Sequence, residues 1–241
     1  MGFTALATDY DGTLAWHAVV NDSTYESLKQ FKESGRKLLM VTGRELPELF
    51  EIFPGVNIFD LIVAENGAVL YSPSTRHIKV IATPPPEQFI DGLRELGVHP
   101  LSVGRVIVAT QETFHGVIAQ AIKDWGLPLQ IIPNKGALMI LPNGVDKATG
   151  LLAALAELDL DAANVAGIGD AENDLAFLRI CGCSVAVANA LPLVKEQVQL
   201  VTDASRGEGV AELISKVLRN ELDDIPQQPA QGFFPSEQFK H

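Results

Sequence analysis

Cysteine is almost absent: two in 241 residues, Cys181 and Cys183, in "RICGCSVAVAN". Their spacing is not C-x-x-C, and no second Cys/His cluster completes a set of four ligands. Small apolar packing at a helix end is therefore expected rather than a metal half-site or a redox pair. Long apolar runs are also missing. None approaches the roughly 20 residues needed to cross a bilayer, and the opening "MGFTALATDYDG" has no basic segment followed by an apolar stretch and a cleavage site. A cytoplasmic protein without a membrane partner is expected. Basic residues are in deficit, with 18 Lys and Arg against 30 Asp and Glu, for a net charge of -12. That balance argues against nucleic acid or an anionic membrane surface as the main partner, while a local basic pocket for a small anion remains open.

What is present suits a substantial core: 47% of residues are hydrophobic, and the length fits one large domain or two unequal ones. Apolar strand-like runs alternate with amphipathic helix-like ones. Strands are predicted at 3–9, 37–43, 59–66, 164–170 and 183–189. Helices are predicted at 21–35, 46–54, 146–160, 172–181 and 209–222. Strands that are almost wholly apolar and separated by helices imply a parallel sheet covered on both faces. The fold expected is α/β, a doubly wound Rossmann-like core. Three prolines in "TPPPEQF" then break the texture. Beyond them come a helix near 87–96, a strand near 105–110, a helix near 112–125 and strands near 128–132 and 137–141. Residues 84–143 read as a small α+β insert, with 1–83 and 144–222 as a discontinuous core. The Pro/Gln-rich segment 223–241 reads as a flexible tail or as a linker to a further domain.

The stretch "ATDYDGTLAW" (residues 7–16) ends an apolar run with two carboxylates. In a strand, positions i and i+2 share a face, so Asp9 and Asp11 fall side by side. Such a pair needs a cation or a shared proton; an Asp-rich turn is the competing explanation. In an open parallel sheet, ligands collect at the carboxyl ends of strands, and that rule groups distant pieces. Thr42, Gly43 and Arg44 follow the second strand, and Asp170, Asn173 and Asp174 follow the late strand in "GIGDAENDL". Lys147 opens a helix just after the insert. Carboxylates for a hard cation, a hydroxyl and amides for an anion, and an ammonium together suit a phosphate and a divalent metal.

The order D-x-D-G-T, Thr, Lys, G-D-x-x-N-D resembles the haloacid dehalogenase-like phosphohydrolases. "VTGR", "ENGA" (65–68) and "GDAENDL" look like the subclass whose cap lies between the second and third motifs, where residues 84–143 stand. The resemblance implies a Mg²⁺-dependent phosphatase acting on a small phosphorylated metabolite, of phosphoglycolate or sugar phosphate type, through an aspartyl-phosphate. Asp9 is then the nucleophile and a metal ligand. Asp11 is the acid/base, touching the metal through its backbone carbonyl. Asp170 and Asp174 complete the metal shell, Lys147 neutralises charge, and Thr42, Gly43, Arg44, Asn66 and Asn173 serve the phosphate. Arg44 can equally pair with a surface Glu. A phosphomutase or phosphotransferase, or a regulatory domain of a larger protein, is the alternative. The leaving-group pocket is expected in the insert, with Arg105, His115, Lys123 and Lys135 as candidates. The oligomeric state stays open.

Overall fold

The computed structural model describes residues 2–222 and Ile225; of the expected tail, all but Ile225 lies outside the described residues. The α/β architecture read from the alternating runs is the one adopted. The first half contributes β1 (Ala5–Thr8), α1 (Asp22–Glu33), β2 (Lys37–Val41), α2 (Leu46–Ile52), β3 (Leu61–Ala64), β4 (Val69–Ser72) and β5 (His77–Val80). An α+β stretch follows: α3 (Glu87–Glu95), β6 (Ser102–Val103), β7 (Val108–Gln111), α4 (His115–Trp125), β8 (Leu129–Asn134) and β9 (Ala137–Pro142). The chain then closes with α5 (Lys147–Glu157), β10 (Val165–Gly169), α6 (Leu175–Leu178), β11 (Cys183–Ala186), α7 (Pro192–Lys195), β12 (Leu200–Val201) and α8 (Arg206–Leu218).

The large sheet has eight strands in the order β12-β11-β10-β1-β2-β3-β4-β5. From β12 to β3 every pairing is parallel, and β4 and β5 add an antiparallel edge. All residues of β1, β3 and β11 are buried, which requires cover on both faces, as parallel strands with helical crossovers have. Each Leu, Ile or Val side chain so buried contributes about 1.5–3 kcal/mol. The hairpin β4-β5 is absent from the sequence reading because its outer strand is polar and largely exposed, "HIKV", and carries no apolar run to detect. β6, α7 and β12 are two to four residues long, too short to leave a periodic signal.

The second sheet, β6-β7-β9-β8, is wholly antiparallel. Its strand β9 shows how the two sheets are joined. Leu138 and Ile140 pack with Phe89, Leu93 and Ile118 in a cluster of their own, whereas Met139 and Leu141 join the main core. Period-2 alternation thus turns one strand into a shared wall.

A polar tie reinforces this contact. Glu65, buried directly after β3, accepts hydrogen bonds from the backbone N–H groups of Arg105 (2.9 Å), Val106 (2.7 Å) and Ile107 (3.0 Å). Glu65 holds a left-handed φ of 50° to do so, a conformation that costs a non-glycine residue about 1 kcal/mol or more. The carboxylate satisfies amides that the segment between β6 and β7 leaves without a ladder partner. Glu65→Ala is expected to cost about 2–4 kcal/mol of unfolding free energy, because buried donors left unsatisfied carry a penalty of about 1–3 kcal/mol each. Urea unfolding of the variant checks this; a loss within about 0.5 kcal/mol, usual for a neutral surface change, would refute the tie.

Candidate active site

The chain passes from β1 to β2 on one side and later returns to β10 on the other, so the strand order reverses at β1. Crevices open at such points, outside the carboxyl ends of the strands. Asp9 follows β1, Thr42 to Arg44 follow β2, and Asp170 to Asp174 follow β10. A pocket of about 630 Å³ opens there, lined by Asp9, Asp11, Gly43, Arg44, Lys147 and Asn173 on the large-sheet side. The second sheet supplies Ile107, Ala109, Lys135, Ala137 and Met139.

Its floor is a buried charge cluster. One carboxylate oxygen each of Asp9, Asp170 and Asp174 lies within 4.8 Å of the others. Lys147 reaches in from the start of α5, where Asp146 and Thr149 form a reciprocal cap that fixes the first turn. Its Nζ donates to Asp9 Oδ1 and to Asp174 Oδ1, both at 2.6 Å. Burial alone would lower the Lys147 pKa, but the adjacent Asp174 and Asp9 outweigh it and raise it, so the ammonium stays charged. Burial, with Asp174 beside it, pushes the Asp9 carboxyl up to about 8 against the pull of Lys147. Asp174 Oδ2 accepts from the backbone N–H of Asp170 (2.8 Å) and of Ala171 (2.9 Å), tying the turn after β10 into shape. Burial also raises Asp170, while Lys135 opposes the shift.

These residues fit a hard divalent cation. The donors are all carboxylate oxygens, the set such ions prefer, and Asp170 Oδ1 is buried without a hydrogen-bond partner among the described residues. Repelling carboxylates and an unsatisfied oxygen at one point form an arrangement that a cation would stabilise. The carboxylate of Asp11 stands outside the cluster. Arg44 grips both of its oxygens, Nε to Oδ2 at 2.6 Å and Nη2 to Oδ1 at 2.7 Å, and also contacts Glu48. Arg44 is thus placed on an acidic pair. Thr42 and Asn66 are fully buried and stand behind the lining: Thr42 Oγ1 accepts from the Arg44 amide, and Asn66 Oδ1 accepts from Asn173 Nδ2. Among the described residues, Asn66 Nδ2 and Asn173 Oδ1 have no partner. Of the four insert candidates, Lys135 reaches the pocket, whereas Arg105, His115 and Lys123 do not line it.

The sequence reading gives Asn189 no role and has Glu65 only as the first residue of "ENGA". Asn189 Nδ2 donates to the Gly12 carbonyl (2.8 Å), and its Oδ1 accepts from the Arg206 amide (2.8 Å), pinning the loop after β1. Asn189 stands just past β11, so the strand-end rule reaches it, but an Asn there also reads as an ordinary turn.

A sheet with this reversal, an α+β layer packed beside it and an acidic cluster at the reversal define a Rossmann-like α/β fold with a candidate active site at the reversal. Comparison narrows the class. The family model for haloacid dehalogenase-like hydrolases matches residues 6–114 and 106–214. The phosphoglycolate phosphatase 2 of Saccharolobus solfataricus is 31% identical over 88% of this chain and 91% of its own. The phosphoglycolate phosphatase of Haloarcula marismortui is 29% identical over 87% and 95%. The crystal structure of a haloacid dehalogenase-like hydrolase from Bacteroides thetaiotaomicron superposes with a TM-score of 0.76 at 19% identity, covering 89% of this chain and 99% of its own. The chain belongs to the haloacid dehalogenase-like hydrolase family.

Gly12 shows how tightly the site is built. It adopts φ +85°, and a Cβ there would lie 2.4 Å from Asp170 Oδ2. Gly35 has nearly the same φ, +84°, with nothing within 4 Å. Gly12→Ala is therefore expected to destabilise the protein by at least about 1 kcal/mol more than Gly35→Ala, since backbone strain is common to both and the clash belongs to one. Thermal unfolding of the two variants checks this; equal losses would contradict the geometry.

Proposed function

We propose that the protein is a Mg²⁺-dependent phosphatase that hydrolyses a compact phosphate monoester, of phosphoglycolate or sugar phosphate type, through an aspartyl-phosphate on Asp9. The observation that carries this reading is the Asp9, Asp170 and Asp174 cluster, with Lys147 clamped on Asp9, at the open end of β1. The relatives named as phosphoglycolate phosphatases support it. In this reading residues 1–83 and 144–222 are the catalytic core and 84–143 a cap over it.

Asp9, Asp170 and Asp174, with the Asp11 backbone carbonyl, would hold magnesium, which would supply charge neutralisation for the phosphoryl group. The chain's own residues do the rest. Lys147 orients Asp9 and offsets negative charge, and an Asp9 oxygen attacks phosphorus in line as the ester P–O bond breaks. Asp11 gives its proton to the departing oxygen, then takes one from the water that cleaves the acyl phosphate and restores Asp9. Because Arg44 occupies both Asp11 oxygens, one must be released for the acid step. Gly43 and Asn173, on the pocket wall, offer donors to the phosphoryl oxygens, with Thr42 and Asn66 supporting them from behind.

Three outcomes test this. Asp9→Asn, an isosteric change to a poor nucleophile, is expected to lower phosphate release by a factor of about a thousand or more with the circular dichroism unchanged; activity within about tenfold of wild type would refute the nucleophile. Asp11→Asn is expected to slow an alkyl phosphate at least about tenfold more than p-nitrophenyl phosphate, whose leaving group needs little protonation. Equal losses would remove Asp11 from the acid step. The third outcome follows from the raised Asp9 pKa of about 8. A carboxyl raised on folding favours the fold at low pH, and that advantage is lost as pH rises from about 4 towards 8. Cation binding needs the ionised form, so it releases a proton and strengthens over the same interval. The rise in Tm on adding Mg²⁺ is expected to be larger at about pH 8 than at about pH 5.5; an equal or reversed effect would contradict it.

A further inference from the structure

We infer that Lys135 selects the leaving group, and that it selects a short one carrying a carboxylate close to the ester oxygen; this inference rests on the phosphatase reading above. Among the described residues, three Lys or Arg side chains line the pocket: Arg44, Lys135 and Lys147. Lys147 is committed to Asp9 and Asp174, and Arg44 to Asp11 and Glu48. Among the described residues Lys135 has a single ion-pair partner, Asp170 Oδ2, at 2.5 Å. Its side chain is 41% exposed, and it stands on the tight turn between β8 and β9, at φ 47° beside Gly136 at φ 83°.

That partner belongs to the cation cluster. A divalent cation shared by Asp9, Asp170 and Asp174 draws on the same carboxylate and repels the ammonium beside it. Lys135 then needs another anion within reach of its turn, which is the part of the pocket next to the phosphoryl site. The wall around it limits what that anion can be. Ile107, Ala109, Ala137 and Met139 are apolar, Asn134 adds one side-chain amide, and the Ser102 hydroxyl already donates to Glu45 Oε1 at 2.6 Å. A polyhydroxylated sugar finds few hydrogen-bond partners on this side, whereas one carboxylate satisfies one lysine. The position of the ammonium, within hydrogen-bond distance of Asp170, demands that this carboxylate be close to phosphorus, as it is one carbon from the ester oxygen in 2-phosphoglycolate.

The test uses non-hydrolysable phosphonates matched in length. With Mg²⁺ present, calorimetry of the whole protein is expected to show 3-phosphonopropionate binding at least about tenfold tighter than propylphosphonate, the value of a charge-assisted hydrogen bond. Lys135→Met is expected to bring the two within about twofold, and Lys135→Arg to keep part of the preference. Lys123→Met, a cap lysine outside the pocket, is expected to keep all of it. A wild-type protein without the preference overturns the inference. So does a Lys135→Met variant that retains it, or a Lys123→Met variant that loses as much, which would reduce the effect to net charge. Phosphate release from p-nitrophenyl phosphate separates the two levels. Release together with an unaltered preference in Lys135→Met removes the Lys135 assignment alone, whereas wild type that releases no phosphate and binds neither phosphonate removes the phosphatase reading and this inference with it.

Discussion

Lys147 is the interaction on which the rest depends. Its ammonium is 1% exposed and sits 2.6 Å from both Asp9 and Asp174. Three carboxylates converging at the end of a buried sheet would repel one another and forfeit their hydration. One ammonium bridging two of them makes the convergence tolerable, and removing either side of such a buried pair costs about 3–5 kcal/mol because a bare charge is left behind. The bridge does not reach the third carboxylate, Asp170, which pairs with Lys135 through Oδ2 alone and keeps Oδ1 without a hydrogen-bond partner among the described residues, so three carboxylates face two ammonium groups. The tendency of the site to take a divalent cation follows from this incomplete neutralisation.

The sheet topology makes the convergence possible. β1 lies between β2 and β10, so loops from three crossovers open at one place, and residues more than 160 positions apart in sequence meet there. The second sheet is fastened over this place by contacts at its rim: Glu65 to the amides before β7, Glu45 to Ser102, and Asp170 to Lys135. Two of these contacts leave from residues directly after core strands or their turns. The segments that follow β3 and β10 thus also hold the second sheet against the charge cluster.

Much of the fold was legible because parallel strands buried on both faces have to be apolar where they are buried, and the "LLMV" of β2 and "LIVA" of β3 can be little else. The edge hairpin β4-β5 escaped because exposed antiparallel strands tolerate polar residues such as those of "HIKV". At the site, Asp9, Asp11, Lys147, Asp170 and Asp174 were legible as charged residues at strand ends and a helix start, where a charge has no structural reason to be buried. Arg44 was legible as a candidate but not in its pairing, since the sequence does not show that its guanidinium would meet Asp11 across 33 residues. Glu65 and Asn189 were hidden for a related reason: their partners are backbone groups, which every residue possesses and no motif records. Lys135 was one of four cationic candidates in the insert, and only the hairpin geometry distinguishes it from Lys123.

The central claim is that Asp9, held by Lys147, becomes phosphorylated during turnover. Acid quenching during hydrolysis of a phosphate ester, followed by borohydride reduction and peptide mass analysis, tests it most directly, because an acyl phosphate on Asp9 is reduced to homoserine at that position. Homoserine at position 9, dependent on both substrate and Mg²⁺, is the predicted result. Steady release of phosphate with no modified Asp9, or with the modification on another carboxylate, would contradict it.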